Sequence, residues 1–281
     1  MHFWKMNGAG NDFIIIDERT DKLPEERLPE IIRTVCERHL SLGADGVMLV
    51  GAPDSPAADV KMRYFNSDGS EGEMCGNGAR CICRYAYENG LAGETQRIET
   101  TAGLVTGQRL DQRNYRIRLN DPSVLDIGRT VDVDGQPCCA AYVELGVPGL
   151  PHAAVPVAGL EKADRGTLRE LGELLRYHPA FPKGANVNFY EITGPDEVLL
   201  LTYERGVEDF TYACGTGTGS TAAVLALKGL ISGRGTRFTM RGGVLTADVV
   251  RDEKGRITDL YLTGPTNIVA KGEITDEELM I

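Results

Sequence analysis

Two cysteines, Cys75 and Cys214, each stand directly before a glycine-rich turn, Cys75-Gly-Asn-Gly78 and Cys214-Gly-Thr-Gly217, where a loop passes into a helical pattern. A helix N-terminus presents unpaired amides and a partial positive charge. That environment lowers a thiol pKa from about 8.5 toward neutrality and makes the sulfur a usable base or nucleophile. The same amides, left uncovered by Gly76, Gly78, Gly215 and Gly217, can bind a carboxylate. A thiolate on one face of a carbon and a thiol on the other is what stereoinversion requires, one removing a proton and the other returning it to the opposite face. If two halves of the chain face each other, this chemistry needs no cofactor. The helix ends would stabilise the charge that builds on the carboxylate as the α-carbon loses its proton.

The elements that carry these cysteines recur. Tyr64–Gly78 aligns with Thr202–Gly217, and each segment runs on into a helical pattern that stops at Gly-Leu, Gly90-Leu91 and Gly229-Leu230, with 15 residues from cysteine to glycine in both. Thr101-Ala-Gly103 and Arg241-Gly-Gly243 follow their cysteines by 28 and 29 residues, and both lead into alternating strand patterns at Tyr115–Leu119 and Thr258–Leu262. Three landmarks in one order imply two similar halves, each with strands around one long helix. The helices are predicted over Ala79–Glu88 and Ser220–Lys228, both ending in glycine. Amphipathic helices are predicted near Leu28–His39 and Asp164–Tyr177, and strands over Asp12–Asp17 and Glu197–Tyr203. The reading is an α+β fold, mixed α/β, of two pseudo-symmetric halves. Residues 1–120 carry Cys75, residues 121–268 carry Cys214, and a tail of residues 269–281 returns to the first half.

Composition removes several alternatives. Among 281 residues, 30 Lys and Arg face 41 Asp and Glu, for a net charge of −11, which disfavours a general nucleic-acid binder. No apolar run approaches the roughly 18 residues of a spanning helix, and the first residues carry no secretory pattern. Seven cysteines are no disulfide framework, so a cytoplasmic protein with reduced thiols is expected. Cys36, Cys81, Cys83, Cys138 and Cys139 are read as small buried hydrophobes. Cys75, Cys81 and Cys83 lack zinc-site spacing, and no metal is expected. Gly217-x-Gly219-x-x-Ala222 mimics a dinucleotide fingerprint, but no acidic residue lies between Asp209 and Asp248 to meet a ribose. No phosphate-binding Gly-Lys-Ser/Thr is present either.

Several segments in order over the whole chain carry a more specific signal: Lys5–Phe13, Phe65–Ser70, Cys75-Gly-Asn-Gly-Ala-Arg80, Asn186-Val187, Glu204-Arg-Gly206 and Ala213–Gly217. In these the sequence resembles the diaminopimelate epimerases, a family within the cofactor-independent racemases. The resemblance implies two α/β halves, each a sheet wrapped round a central helix, with the active site in the cleft between them. It implies epimerisation of LL-diaminopimelate to the meso form, without pyridoxal phosphate, in lysine and cell-wall precursor synthesis. Cys75 and Cys214 would be the acid/base pair, with Glu204 and His152 as supporting polar residues near the reacting carbon. Asn11, Asn66, Asn186 and Arg205 would hold the substrate's amino and carboxylate groups. The amides of Gly76-Asn77 and Gly215-Thr216 would cradle the reacting carboxylate. Without the family, Asn11 and Asn66 could serve only their own turns, Glu204-Arg205 could be a solvated pair and His152 could cap a turn. Arg205 suits a bidentate carboxylate clamp in its own right.

Two positions depart from the family. Leu150-Pro151-His152 stands where Asn-Pro-His is common, which removes a side-chain amide from the distal end of the substrate, and in Val207–Tyr212 the usual Gly-Glu-Thr is replaced with Phe210-Thr211. Both bear on the distal amino acid and leave the acid/base machinery intact. The rival expectations are the same mechanism on another amino acid, favoured by Leu150, and a non-catalytic amino-acid-binding protein. A thiol redox enzyme is disfavoured, because no Cys-x-x-Cys is present. If the two thiols approach in an empty cleft, oxidation could join Cys75 to Cys214. Homodimers are common in the family. The sequence leaves open the oligomeric state and which cysteine is base in which direction.

Overall fold

A computed structural model describes residues 1–72, 74–275, 277 and 279; the end of the expected C-terminal tail, residues 280–281, lies outside the described residues. The chain divides into two compact units, Met1–Ile117 with Gly264–Ile281, and Arg118–Thr263.

In the first unit, eight strands form one continuous order. Asn267–Glu273 pairs antiparallel with His2–Gly8, which pairs antiparallel with Asn11–Asp17. The latter runs parallel to Gly46–Gly51, itself antiparallel to Val60–Asn66. Val60–Asn66 runs parallel to Thr95–Thr100, followed by Gly103–Arg109 and Asn114–Arg118, each antiparallel to the last. The first hairpin turns through Ala9 and Gly10, both at positive φ (59° and 87°), the conformation of a two-residue turn matched to strand twist.

Helix α1, Leu28–Cys36, buries Leu28, Ile31, Ile32, Val35 and Cys36, an i, i+3, i+4, i+7, i+8 stripe, against Ile14, Ile16, Val47, Leu49 and Phe65. Strand alternation sends Phe13, Ile15, Met48 and Tyr64 to the other face. There helix α2, Gly76–Glu88, touches six of the strands and is buried without a break from Gly76 to Ala86.

The second unit repeats this order. Pro122–Asp126, Ala141–Leu145 and Leu150–Pro156 are successively antiparallel. Leu150–Pro156 runs parallel to Asn186–Gly194, which is antiparallel to Glu197–Glu204. Glu197–Glu204 runs parallel to Thr236–Met240, followed by antiparallel Gly243–Arg251 and Ile257–Pro265. The seven pairings have the same directions in the same sequence as in the first unit. Helix α3, Arg165–Arg176, is capped by Asp164, whose carboxylate accepts from Thr167 N. It packs Leu168 and Leu175 on Ala153, Val155, Val187, Phe189 and Tyr203. The alternate residues His152, Asn186, Asn188 and Thr202 therefore face helix α4, Gly215–Leu227, which is buried from Gly217 to Ala226.

Both central helices begin earlier than the sequence reading places them, at Gly76 and Gly215 rather than at Ala79 and Ser220. Glycine is a poor helix former, but packing overrides propensity here. A Cβ on Gly78 would lie 1.7 Å from Met48 Cε, and one on Gly219 would lie 2.4 Å from Leu119 Cδ1. Conversely α1 stops at Cys36, short of the expected His39, which sits at φ 77°.

The buried and exposed ends of one strand give a test. Phe189 is fully buried and Ile192, on the same strand, is 38% exposed. Phe189→Ala is expected to cost about 3–5 kcal/mol in urea unfolding, and Ile192→Ala less than about 1 kcal/mol. Equal costs would contradict the core assignment.

Candidate active site

In the first unit the site is built around the start of α2. Cys75 is its N-cap, extended at φ −129° and ψ 115°, and its carbonyl accepts from Ala79 N at 2.8 Å. Asn11 follows the first hairpin. Its Nδ2 donates to Asp45 Oδ2 at 2.7 Å, which turns Oδ1 toward Cys75 Sγ at 3.7 Å and Asn77 Nδ2 at 3.5 Å. Gly8 brings its strand onto the helix start, where a Cβ would lie 2.8 Å from Asn77 O. Arg80, with no exposed surface, donates from Nη2 to Asn77 Oδ1 at 2.8 Å and from Nη1 to Gly76 O at 3.4 Å. Burial pulls its pKa down, and the thiols of Cys81, Cys75 and Cys83 act against that pull. Asn11, Asn77, Gly76 and Cys75 thus form one corner. Asn66 keeps to its own turn: its Oδ1 accepts from Tyr64 OH at 2.8 Å and its Nδ2 donates to Ser70 Oγ at 3.0 Å.

In the second unit Cys214 occupies the matching N-cap, 6% exposed. Gly217 N donates to its Sγ at 3.3 Å and Thr216 Oγ1 lies 3.6 Å away. The position a Cβ would take on Gly217 lies 2.2 Å from Asn188 Oδ1 and 3.2 Å from Cys214 Sγ, so this glycine makes room for a carboxamide beside the thiol.

His152, fully buried, is reached by Asn188 Nδ2 at 3.2 Å from its Nδ1. Burial, reinforced by the nearby Arg205 guanidinium, pushes its pKa down to about 3, so the imidazole is neutral across the physiological range. Asn186 braces the backbone: Nδ2 donates to Pro151 O at 3.1 Å and Oδ1 accepts from Arg205 N at 2.9 Å. Arg205 Nη1 donates to Lys183 O at 3.0 Å. Glu204 ends its strand opposite Asp209, at a turn in which Gly206 and Glu208 take positive φ.

The sequence reading did not single out Asn188 or Thr202. The tandem Asn186-Val-Asn188 on one strand face was the available signal, since alternate residues share a face. Burial drives the thiols of Cys36, Cys81 and Cys83 up to about 12, in line with their reading as buried hydrophobes. That reading is corrected at Cys138 and Cys139. They lie on a two-stranded hairpin, Thr130–Val133 with Gln136–Cys139, too small to cover both faces; Cys138 is half-buried and Cys139 exposed. All seven cysteines are free thiols. Among the described residues, no three His, Cys, Asp or Glu side chains gather as a metal site, and no helix is long and apolar enough to cross a membrane.

The fold is shared with solved structures of distant sequence. It matches a hydroxyproline epimerase from Agrobacterium vitis with a TM-score of 0.71 at 18% identity, over 99% of this chain and 94% of that one. It matches a Bacillus anthracis phenazine biosynthesis protein of the PhzF family with a TM-score of 0.71 at 19% identity, over 98% of each chain. The repeated sheet wrapped on a buried central helix thus places the chain in the fold class of these proteins. Sequence narrows the class. The family described as Diaminopimelate epimerase matches residues 3–123 and 147–269. Curated proteins named diaminopimelate epimerase are 41% identical in Aquifex aeolicus, over 99% of both chains, and 38% identical in Archaeoglobus fulgidus, over 99% of this chain and 97% of the other. The chain belongs to the diaminopimelate epimerase family.

Two outcomes follow from the buried groups. Iodoacetamide at pH 7.5 is expected to label Cys139 in the native protein and to leave Cys36, Cys81 and Cys83 unmodified until it unfolds, as read by peptide mass spectrometry. For His152, the unfolded state binds a proton near pH 6.5 and the native state only near 3. Its contribution to stability is therefore complete above pH 6.5 and is lost as pH falls toward 3. Between pH 6.5 and 4.5 the wild type is expected to lose on the order of 2 kcal/mol more than His152→Gln. Parallel loss in both proteins would contradict a neutral buried imidazole.

Proposed function

We propose that this chain is a cofactor-independent epimerase that interconverts LL- and meso-diaminopimelate, with Cys75 and Cys214 as its acid/base pair. One observation carries the reading. The same eight-strand unit is built twice, and both copies place a cysteine at the N-cap of a buried helix whose first turn is glycine-rich. In the proposed reaction one thiolate takes the α-proton, the substrate carboxylate gains charge, and the other thiol delivers its proton to the opposite face. The amides of Gly76-Asn77 and Gly215-Thr216 hold the carboxylate where that charge builds. Asn11, Asn66, Asn186 and Arg205 bind the amino and carboxylate groups, and Glu204 and His152 support the reacting carbon. Such an enzyme serves lysine and cell-wall precursor synthesis in the cytoplasm.

A second reading keeps the mechanism and changes the amino acid. It rests on Leu150, which follows its hairpin as Asn11 follows the first one, but offers an apolar side chain where Asn11 offers an amide.

The test is α-proton exchange of LL-diaminopimelate in deuterated water under reducing conditions. Deuterium at the α-carbon with formation of the meso isomer is expected for the wild type, falling at least 100-fold in Cys75→Ser and in Cys214→Ser. Exchange only on another amino acid would select the second reading. No exchange on any amino acid would overturn both.

A further inference from the structure

The internal repeat supplies its own control. The parallel pairs Phe13↔Gly46 and His152↔Asn186 occupy the same place in the two units, and so do the antiparallel pairs Met48↔Tyr64 and Asn188↔Thr202. In the first unit the three positions facing the central helix are therefore Phe13, Met48 and Tyr64, and in the second His152, Asn188 and Thr202. The glycine of the helix's first turn makes the same accommodation in each, Gly78 for Met48 and Gly217 for Asn188. Phe13 and Tyr64 meet edge to face at 6.2 Å. The fold thus closes this corner in one copy with Phe13, Met48 and the ring of Tyr64, whose hydroxyl turns away to Asn66, so the buried polar trio in the other is not required by the architecture. Buried polar groups carry a desolvation cost that a purely structural corner avoids.

The trio's hydrogen bonds settle its protons. Asn188 Nδ2 lies 3.3 Å from Ala153 O and 3.4 Å from Asn186 O, two groups that only accept, while Thr202 Oγ1 donates to Asn188 Oδ1 at 2.9 Å. The opposite amide orientation would set oxygen against two carbonyls. The amide nitrogen therefore faces His152 Nδ1, which must be the bare acceptor, and the neutral ring carries its proton on Nε2. Nε2 is buried and has no hydrogen-bond partner among the described residues.

We propose that Asn188 and Thr202 are positioning residues that hold His152 as the neutral Nε2–H tautomer, a donor kept for the substrate beside Cys214. This rests on the function proposed above. The device separates donation from acid catalysis. An imidazolium would protonate the neighbouring thiolate or lock it in an ion pair, whereas a neutral imidazole N–H lends a hydrogen bond to developing charge and leaves the sulfur free to cycle between its two forms. Arg205, the charged group that acts on the ring, disfavours the imidazolium.

The test is long-range 1H–15N correlation NMR of the full chain with 15N-labelled histidine, the His152 signal being assigned by its loss in His152→Gln. The wild type is expected to show a protonated Nε2 and a bare Nδ1 without substrate. Asn188→Asp puts an acceptor at Nδ1; it is expected to move the proton there or charge the ring, and to lower kcat at least tenfold with KM within twofold. Thr202→Val, nearly isosteric, is expected to mix the tautomers and lower kcat about threefold, and it carries the test should Asn188→Asp fail to fold. A wild-type ring protonated at Nδ1, or variants with an altered tautomer and unchanged kcat, would overturn the proposal. A wild type that holds the tautomer yet exchanges no amino-acid α-proton would instead overturn the function on which it rests.

Discussion

The constraint on which the rest depends is steric: the third residue of each central helix, Gly78 or Gly217, lies under a strand whose side chain occupies the place of its own. Met48 sits where a Cβ on Gly78 would go, and Asn188 where one on Gly217 would go. Glycine raises the cost of forming the helix, and the packing of the following two turns offsets it, since α2 is buried through Ala86 and α4 through Ala226. The same constraint creates the chemistry. A helix start stripped of side chains exposes its amides, and the cysteine before it is the first side chain they can act on.

Duplication then permits divergence. The two corners share strand order, register and capping cysteine, yet they surround the sulfurs differently. Cys75 meets a carboxamide oxygen whose direction is set by Asp45, and Cys214 meets a backbone amide and a hydroxyl. Behind Cys75 lies the buried guanidinium of Arg80, tied to Asn77; in the other unit Asn188, which Gly217 accommodates, holds the neutral ring of His152. One backbone plan accepts both, because the positions that differ point inward at the helix and leave the sheet ladders untouched.

The remaining thiols show how position alone governs a cysteine. Cys81 and Cys83 share a helix with Cys75, but full burial holds them protonated. Cys139 has neither burial nor a helix end; it lies on the small two-stranded hairpin.

Much of this was legible in the residues themselves. The equal spacing of Cys75 to Gly90 and Cys214 to Gly229 announced a repeated unit, and the apolar stripe from Leu28 to Cys36 announced α1, because periodicity and glycine stops are local properties. The family was legible for the same reason, its motifs being short and contiguous. Other features needed the fold. The helices start at Gly76 and Gly215 because tertiary crowding outweighs propensity, and no local rule records crowding. Asn66 spends its hydrogen bonds on the hydroxyls of Tyr64 and Ser70, and Asn186 on nearby backbone, which depends on turn and register. The pairing of His152 with Asn188 and Thr202 joins one strand to a hairpin some 35 residues further on, and the tautomer follows from carbonyls on two of these strands. Residue types and spacing by themselves determined which groups could do chemistry. The tertiary structure decided which are buried, which way their amides point and where their protons rest, because those properties belong to the surroundings of a side chain and not to the side chain itself.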